Sequence, residues 1–120
     1  MIRRHHEFRI EDILDRIRRI ATAETLMSES TDGSSAAISE MAFDAILYNL
    51  VVIGEAVKSL DIEMKLRSPH IEWREITGLR DLLAHQYFQI NVTIIKASID
   101  QPLEDVRLAC VLEQQKNGGL

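Results

Sequence analysis

A chain of 120 residues, 46% hydrophobic and 28% charged, has the size and composition of one globular domain, which excludes disordered and collagen-like classes. With 5% aromatics, five Gly and two Pro, it is poor in the residues an all-β domain needs for strands and tight turns, so a helical domain is expected. Fourteen Lys+Arg against 19 Asp+Glu give a formal net charge of −5, which argues against a general nucleic-acid coat protein. The longest apolar run, Leu50-Val51-Val52-Ile53, stops at Gly54-Glu55, well short of the roughly 20 residues a bilayer span requires. No apolar segment follows the basic start Met1-Ile2-Arg3-Arg4-His5-His6, so no secretory signal is expected. One cysteine, Cys110, cannot make an internal disulfide and does not suggest a zinc site; a reducing cytoplasm is the expected home, without membrane association.

The elements are read in chain order within one domain, 1–120, with a core over about 4–115. Ile10, Ile13, Leu14, Ile17, Ile20 and Ala21 form one stripe of a long amphipathic helix, backed by Glu11, Asp12, Asp15, Arg16, Arg18 and Arg19. A polar connector, Glu29 to Ser35, follows, with Ser34 or Ser35 as the next cap. Ala42, Ala45, Ile46, Asn49, Val52, Ile53, Ala56, Val57 and Leu60 repeat the helical period in a second helix. Asp61 to Arg67 is a polar connection or a short helix, and Ser68-Pro69 reads as N-cap and first residue of the third helix, expected over about Glu72 to Tyr87. Asn91 is a cap candidate for a last helix over about Val92 to Gln115, which Pro102 should kink or split. Gly118-Gly119 reads as a frayed tail. The sum is an all-α, up-and-down bundle of four to five helices.

Chemistry concentrates in Arg80-Asp81-Leu82-Leu83-Ala84-His85-Gln86-Tyr87. Arginine offers a planar, permanently charged fork for a phosphate or for charge developing on phosphorus. Histidine exchanges protons near neutral pH. RNA carries its own nucleophile, the 2′-OH, so an Arg and a His suffice in principle to cleave it without a metal, leaving a 2′,3′-cyclic phosphate. Five residues apart on a helix, Arg80 and His85 differ by about 140° and roughly 7.5 Å of rise. Arg80 and Tyr87 share a face, as do Asp81 and His85. Convergence of Arg80 with His85 therefore needs a long reach, a distorted helix end or a second copy of the chain, and a symmetric dimer would gather two of each in one groove. The competing reading is structural: Arg80 in a surface ion pair, His85 capping a C-terminal turn, Tyr87 half-buried with a wet hydroxyl.

Three segments resemble the HepT-like family of HEPN-domain ribonuclease toxins. Tyr48-Asn49-Leu50-Val51-Val52-Ile53-Gly54-Glu55-Ala56 is similar to its second-helix signature, and Ile71 to Arg80 to its Trp-containing lead into the motif. The third is the Arg-x4-His-x-Tyr spacing itself. The resemblance implies a HEPN-like bundle that forms a symmetric homodimer with a composite cleft, and a metal-independent RNA endonuclease with no cofactor. It implies Arg80 and His85 as the catalytic pair. It also implies a toxin–antitoxin pair, with an MntA-type nucleotidyltransferase that takes AMP from ATP and places it on Tyr87. Added phosphates on the stripe of Arg80 would occupy the groove for RNA phosphate. Two positions depart from the family pattern: Gln86 stands where Gly is common, and Asp81 where Asn is frequent. Asp81 either holds His85 and raises its pKa or pairs with Arg80. The alternative function is a non-catalytic nucleotide-binding or interaction module that pairs with a nucleotidyltransferase.

Other residues have two readings each. Asn49, on an otherwise apolar stripe, either orients Arg80 or His85 or is a buried amide satisfied locally. Glu55 either orients the motif arginine or is a solvated or ion-paired side chain. His5 and His6, being adjacent, make a poor metal pair. Arg3, Arg4, Arg9, Arg16, Arg18 and Arg19 hold six of the 14 positive charges, as an RNA-facing rim or as a solvated face offset by acids. Trp73 is expected as an anchor, Cys110 as a small buried hydrophobe, and Met27, Met41 and Met64 as packing residues.

Overall fold

A computed structural model describes residues 2–29, 36–85 and 92–118. Five helices follow in order: α1 (Ile2–Glu29), α2 (Ala36–Lys58), α3 (Ile62–Arg67), α4 (Trp73–His85) and α5 (Val92–Gly118), and among the described residues there is no strand. The all-α expectation holds. The expected caps Ser34, Ser35 and Asn91 lie outside the described residues.

α2 is the central helix, packed against both α1 and α4, while α1 also packs against α5. Two neighbours widen its buried arc. Ala42, Ile46, Asn49, Ile53, Ala56 and Val57 are buried as the stripe predicts, and Leu47, Leu50 and Gly54 join them. α2 is also long and apolar enough, by length and composition alone, to cross a membrane. The core helix of a helical bundle meets the same criterion, and α2 is packed against both α1 and α4.

On α1 the core residues are Ile10, Ile13, Ile20 and Ala23, with Leu14, Ile17 and Met27 partly buried against them. Ala21 is exposed, so the stripe turns through Ala23 instead. Met64 is buried, as expected, but Met41 is 71% exposed and is not a packing residue. It lies on the side of α2 that neither neighbour covers.

The corner before α4 differs from the expected one. Asp61 caps α3, its carboxylate accepting from the Glu63 backbone N–H at 3.1 Å. Ser68 is the C-cap of α3, its N–H donating to the Lys65 carbonyl at 3.2 Å, and not the N-cap of the following helix. The Ile71 N–H then donates to the Ser68 carbonyl at 3.2 Å, which places Pro69 at the second position of a turn, where its fixed φ suits it. α4 opens four residues later. The Trp73 indole Nε1 reaches back across this corner and donates to the carbonyls of Lys65 and Ser68, both at 3.1 Å, as a second donor to each beside the Ser68 and Ile71 N–H groups.

α5 is continuous across Pro102 and is not split. Its buried residues Leu103, Val106, Cys110 and Glu113 keep helical spacing past the proline, so packing outweighs the lost N–H. Cys110 is fully buried, and burial, with the Glu113 charge second, pushes its thiol pKa up to about 12.

Candidate functional site

α4 buries Ile76, Leu79 and Leu83, an i, i+3, i+7 stripe, against the core. Gly78 lies one turn before Leu82, and an added Cβ there would meet nothing within 4 Å, so space does not require the glycine. Arg80, Asp81 and His85 all lie on α4, and Asp81 is exposed. The helix is regular from Trp73 to His85, so the backbone keeps Arg80 and His85 about 140° apart. Tyr87 and Gln86 lie outside the described residues.

The direction of α4 follows from its surroundings. An open groove at one end of the bundle brings together His6 and Arg9 of α1, Asp61 and Arg67 beside and within α3, and Glu113 and Lys116 of α5. The start of α1 therefore meets the end of α5, and Ser59, just past α2, lines the same groove. α1 runs antiparallel to both helices. α4 starts at this end, tied to α3 through Trp73, and carries the motif away from it over 13 residues.

On α2, Asn49 is 5% exposed and both ends of its amide are hydrogen-bonded. Its Nδ2 donates to the Ala45 carbonyl at 2.7 Å, and its Oδ1 accepts from Arg16 Nη1 at 3.2 Å. Arg16 also donates from Nε to Asp12 at 3.4 Å, and its guanidinium carbon lies 5.7 Å from the centre of the Tyr48 ring. Glu55 is exposed, seven residues on from Tyr48 and hence on the same outer stripe of α2. Sequence reasoning placed Arg16 among the α1 arginines read as an RNA-facing rim or a solvated face, and Tyr48 in the second-helix signature without a role of its own. The signal available was the i, i+7 pairing of Tyr48 with Glu55; the Arg16–Asn49 bond joins residues 33 apart and has no local signature.

The remaining charges of α1 include a tight exposed cluster. Asp15 accepts from Arg18 at 2.6 Å and from Arg19 at 2.9 Å, and the Arg18 bond chiefly holds its carboxyl below the usual aspartate range. At the groove end, Arg67 Nη2 and Nε both donate to the Glu113 carboxylate. His5 is exposed, whereas His6 Nε2 is shut away from solvent without a hydrogen-bond partner among the described residues. No group of three or more His, Cys, Asp or Glu among the described residues is placed to hold a metal ion.

A helical bundle with an Arg-x4-His helix packed on its central helix is the HEPN-like architecture. Residues 10–111 match the family described as Ribonuclease HepT-like, and the chain belongs to that family. It is 35% identical over 74 residues to a protein of Caldanaerobacter subterraneus named "Putative RNase", covering 60% of this chain and 66% of that one. A "Probable ribonuclease HepT" of Thermococcus cleftensis is 32% identical over 63 residues, covering 52% of this chain and 57% of the relative. A "Gamma-glutamylcyclotransferase and putative RNase" of Methanocaldococcus jannaschii is 30% identical over 79 residues, which are 62% of this chain and only 36% of the relative. The chain thus spans about a third to two thirds of the length of the curated relatives it matches. No solved structure gives a significant match.

Proposed function

We propose that this protein is a metal-independent endoribonuclease that acts without a cofactor. The observation that carries the reading is the placement of Arg80 and His85 on one regular helix inside the stretch that matches the ribonuclease family. In the proposed reaction the 2′-OH gives up its proton to imidazole and attacks the adjacent phosphorus. The bond from phosphorus to the 5′-oxygen breaks, and that oxygen takes a proton from imidazolium. The products are a 2′,3′-cyclic phosphate and a 5′-hydroxyl. Arg80 neutralises charge that builds on the phosphoryl oxygens, and His85 moves the protons. Because the backbone holds the two about 140° apart, a symmetric homodimer is the arrangement that gathers an Arg from one copy and a His from the other in one cleft.

In this reading the protein is the toxin half of a cytoplasmic toxin–antitoxin pair. A cognate MntA-type nucleotidyltransferase uses ATP to place AMP on Tyr87. The negative charge added there would compete with RNA phosphate for Arg80. Asp81 and Glu55 support the site, and Asn49 acts only through the Arg16 that it holds.

The decisive measurement is cleavage of single-stranded RNA by purified protein in the presence of a chelator. His85→Ala should lower the rate by about 10²- to 10⁴-fold, and the wild-type products should carry cyclic phosphate ends. Equal cleavage by wild type and His85→Ala overturns the reading. Intact-mass spectrometry after incubation with ATP and the nucleotidyltransferase should show added AMP in the wild type and none in Tyr87→Phe. A wild-type mass that stays unchanged overturns the switch alone.

A further inference from the structure

Tyr48 is an aromatic side chain that the fold does not use. It is 61% exposed on α2, in a chain whose aromatic content is only 5%. Its ring is nevertheless held in place, because the Arg16 guanidinium lies over it at 5.7 Å. Arg16 itself is fixed from two sides, by Asn49 Oδ1 at 3.2 Å and by Asp12 at 3.4 Å. Asp12 pairs with Nε and the neutral Asn49 amide accepts from Nη1, so one charged and one neutral acceptor hold the guanidinium against the ring. A rigid aromatic face with a guanidinium at its back and solvent on the other side is the arrangement that stacks an unpaired base.

Position supports the same conclusion. Tyr48 belongs to the outer stripe of α2, between the neighbours α1 and α4, and α4 carries Arg80. We propose that Tyr48, backed by Arg16, is a stacking platform that binds one unpaired base of the RNA beside the cleavage site, and that it selects single-stranded over duplex substrate. The proposal rests on the ribonuclease reading but assigns Tyr48 no part in the chemistry.

The test uses a short single-stranded oligonucleotide with 2′-O-methyl groups, which binds but has no nucleophile. By fluorescence anisotropy, Tyr48→Leu should weaken its binding about 5- to 100-fold, the range for loss of one stacked base. Tyr48→Phe and Tyr48→Trp should bind as the wild type does. With cleavable RNA, Tyr48→Leu should raise KM by the same factor at unchanged kcat, and binding of a duplex should not respond. Leucine preserves apolar bulk, so equal binding by Tyr48→Leu and wild type overturns the inference while leaving the ribonuclease reading intact. A change in particle mass of free Tyr48→Leu by light scattering, accounting for its weaker binding, also overturns it, since Tyr48 would then be a subunit contact. Wild-type protein that binds no RNA overturns both readings.

Discussion

Two arginines tie helices together in this bundle, and they do so in opposite electrostatic ways. Arg67 on α3 reaches Glu113 on α5, where the carboxylate side chain is only 10% exposed and the guanidinium 39%. Arg16 on α1 reaches Asn49 on α2, where the acceptor is a neutral, buried amide. The first seam consumes its charge: one buried anion is matched by one cation. The second crosses between helices to a neutral oxygen, and the arginine's charge is met within α1 by Asp12 at 3.4 Å. The two seams thus differ in what accepts the interhelical hydrogen bond, a carboxylate at one and a neutral amide at the other.

The comparison can be broken most sharply at the groove end. Arg67→Met strands the Glu113 carboxylate and should cost about 2–4 kcal/mol, below the fully buried range because Arg67 is partly exposed. Urea denaturation measures this. The double change Arg67→Met/Glu113→Leu should recover most of the loss, and a double variant as unstable as the single would show that the seam is more than charge compensation. At the other seam, Arg16→Met removes a donor from a neutral oxygen and should cost about 1–2 kcal/mol. An equal loss at both seams would erase the distinction.

Smaller effects sharpen the picture. Cys110 lies beside Glu113, and its thiol should resist a disulfide reagent at pH 8 in the folded protein and react freely in urea. The native pKa is raised, so the neutral thiol is favoured by folding. That contribution is complete below the unfolded thiol's pKa of about 8.5 and is lost as pH rises toward about 12. Cys110→Ala should flatten the alkaline arm of the stability profile. The smallest effect is at the exposed Asp15 cluster. Its carboxyl should titrate below the usual aspartate range by NMR, with the interaction present at neutral pH and lost as pH falls through that lowered pKa. Asp15→Asn should leave the melting temperature within measurement error.

How far the fold could be read from sequence depended on whether the controlling interaction was local. The stripes of α1 and α2 are periodic and visible. The course of α5 through Pro102 was less so, because a proline rule is local and the packing of Leu103, Val106 and Cys110 is not. Ser68-Pro69 misled for the same reason. Cap and turn chemistry look alike in sequence, and only the indole of Trp73, reaching back to Lys65 and Ser68, decides between them. The motif residues Arg80 and His85 were legible, and so was their helix. The Arg16–Asn49–Tyr48 arrangement was not, because it joins two helices across 33 residues.

The indole bridge at Trp73 has a mechanical consequence. A helix advances about 100° per residue, so whatever pins its first residue sets the bearing of every later one. Trp73 is that index mark, seven residues before Arg80, which is two turns less about 20°. Inserting one alanine between Trp73 and Ile76 would leave the composition of α4 almost untouched while swinging the motif by about 100° and pulling Leu79 and Leu83 out of the core. The aim of the motif is therefore set at the far end of its helix, by a side chain that takes no part in the chemistry.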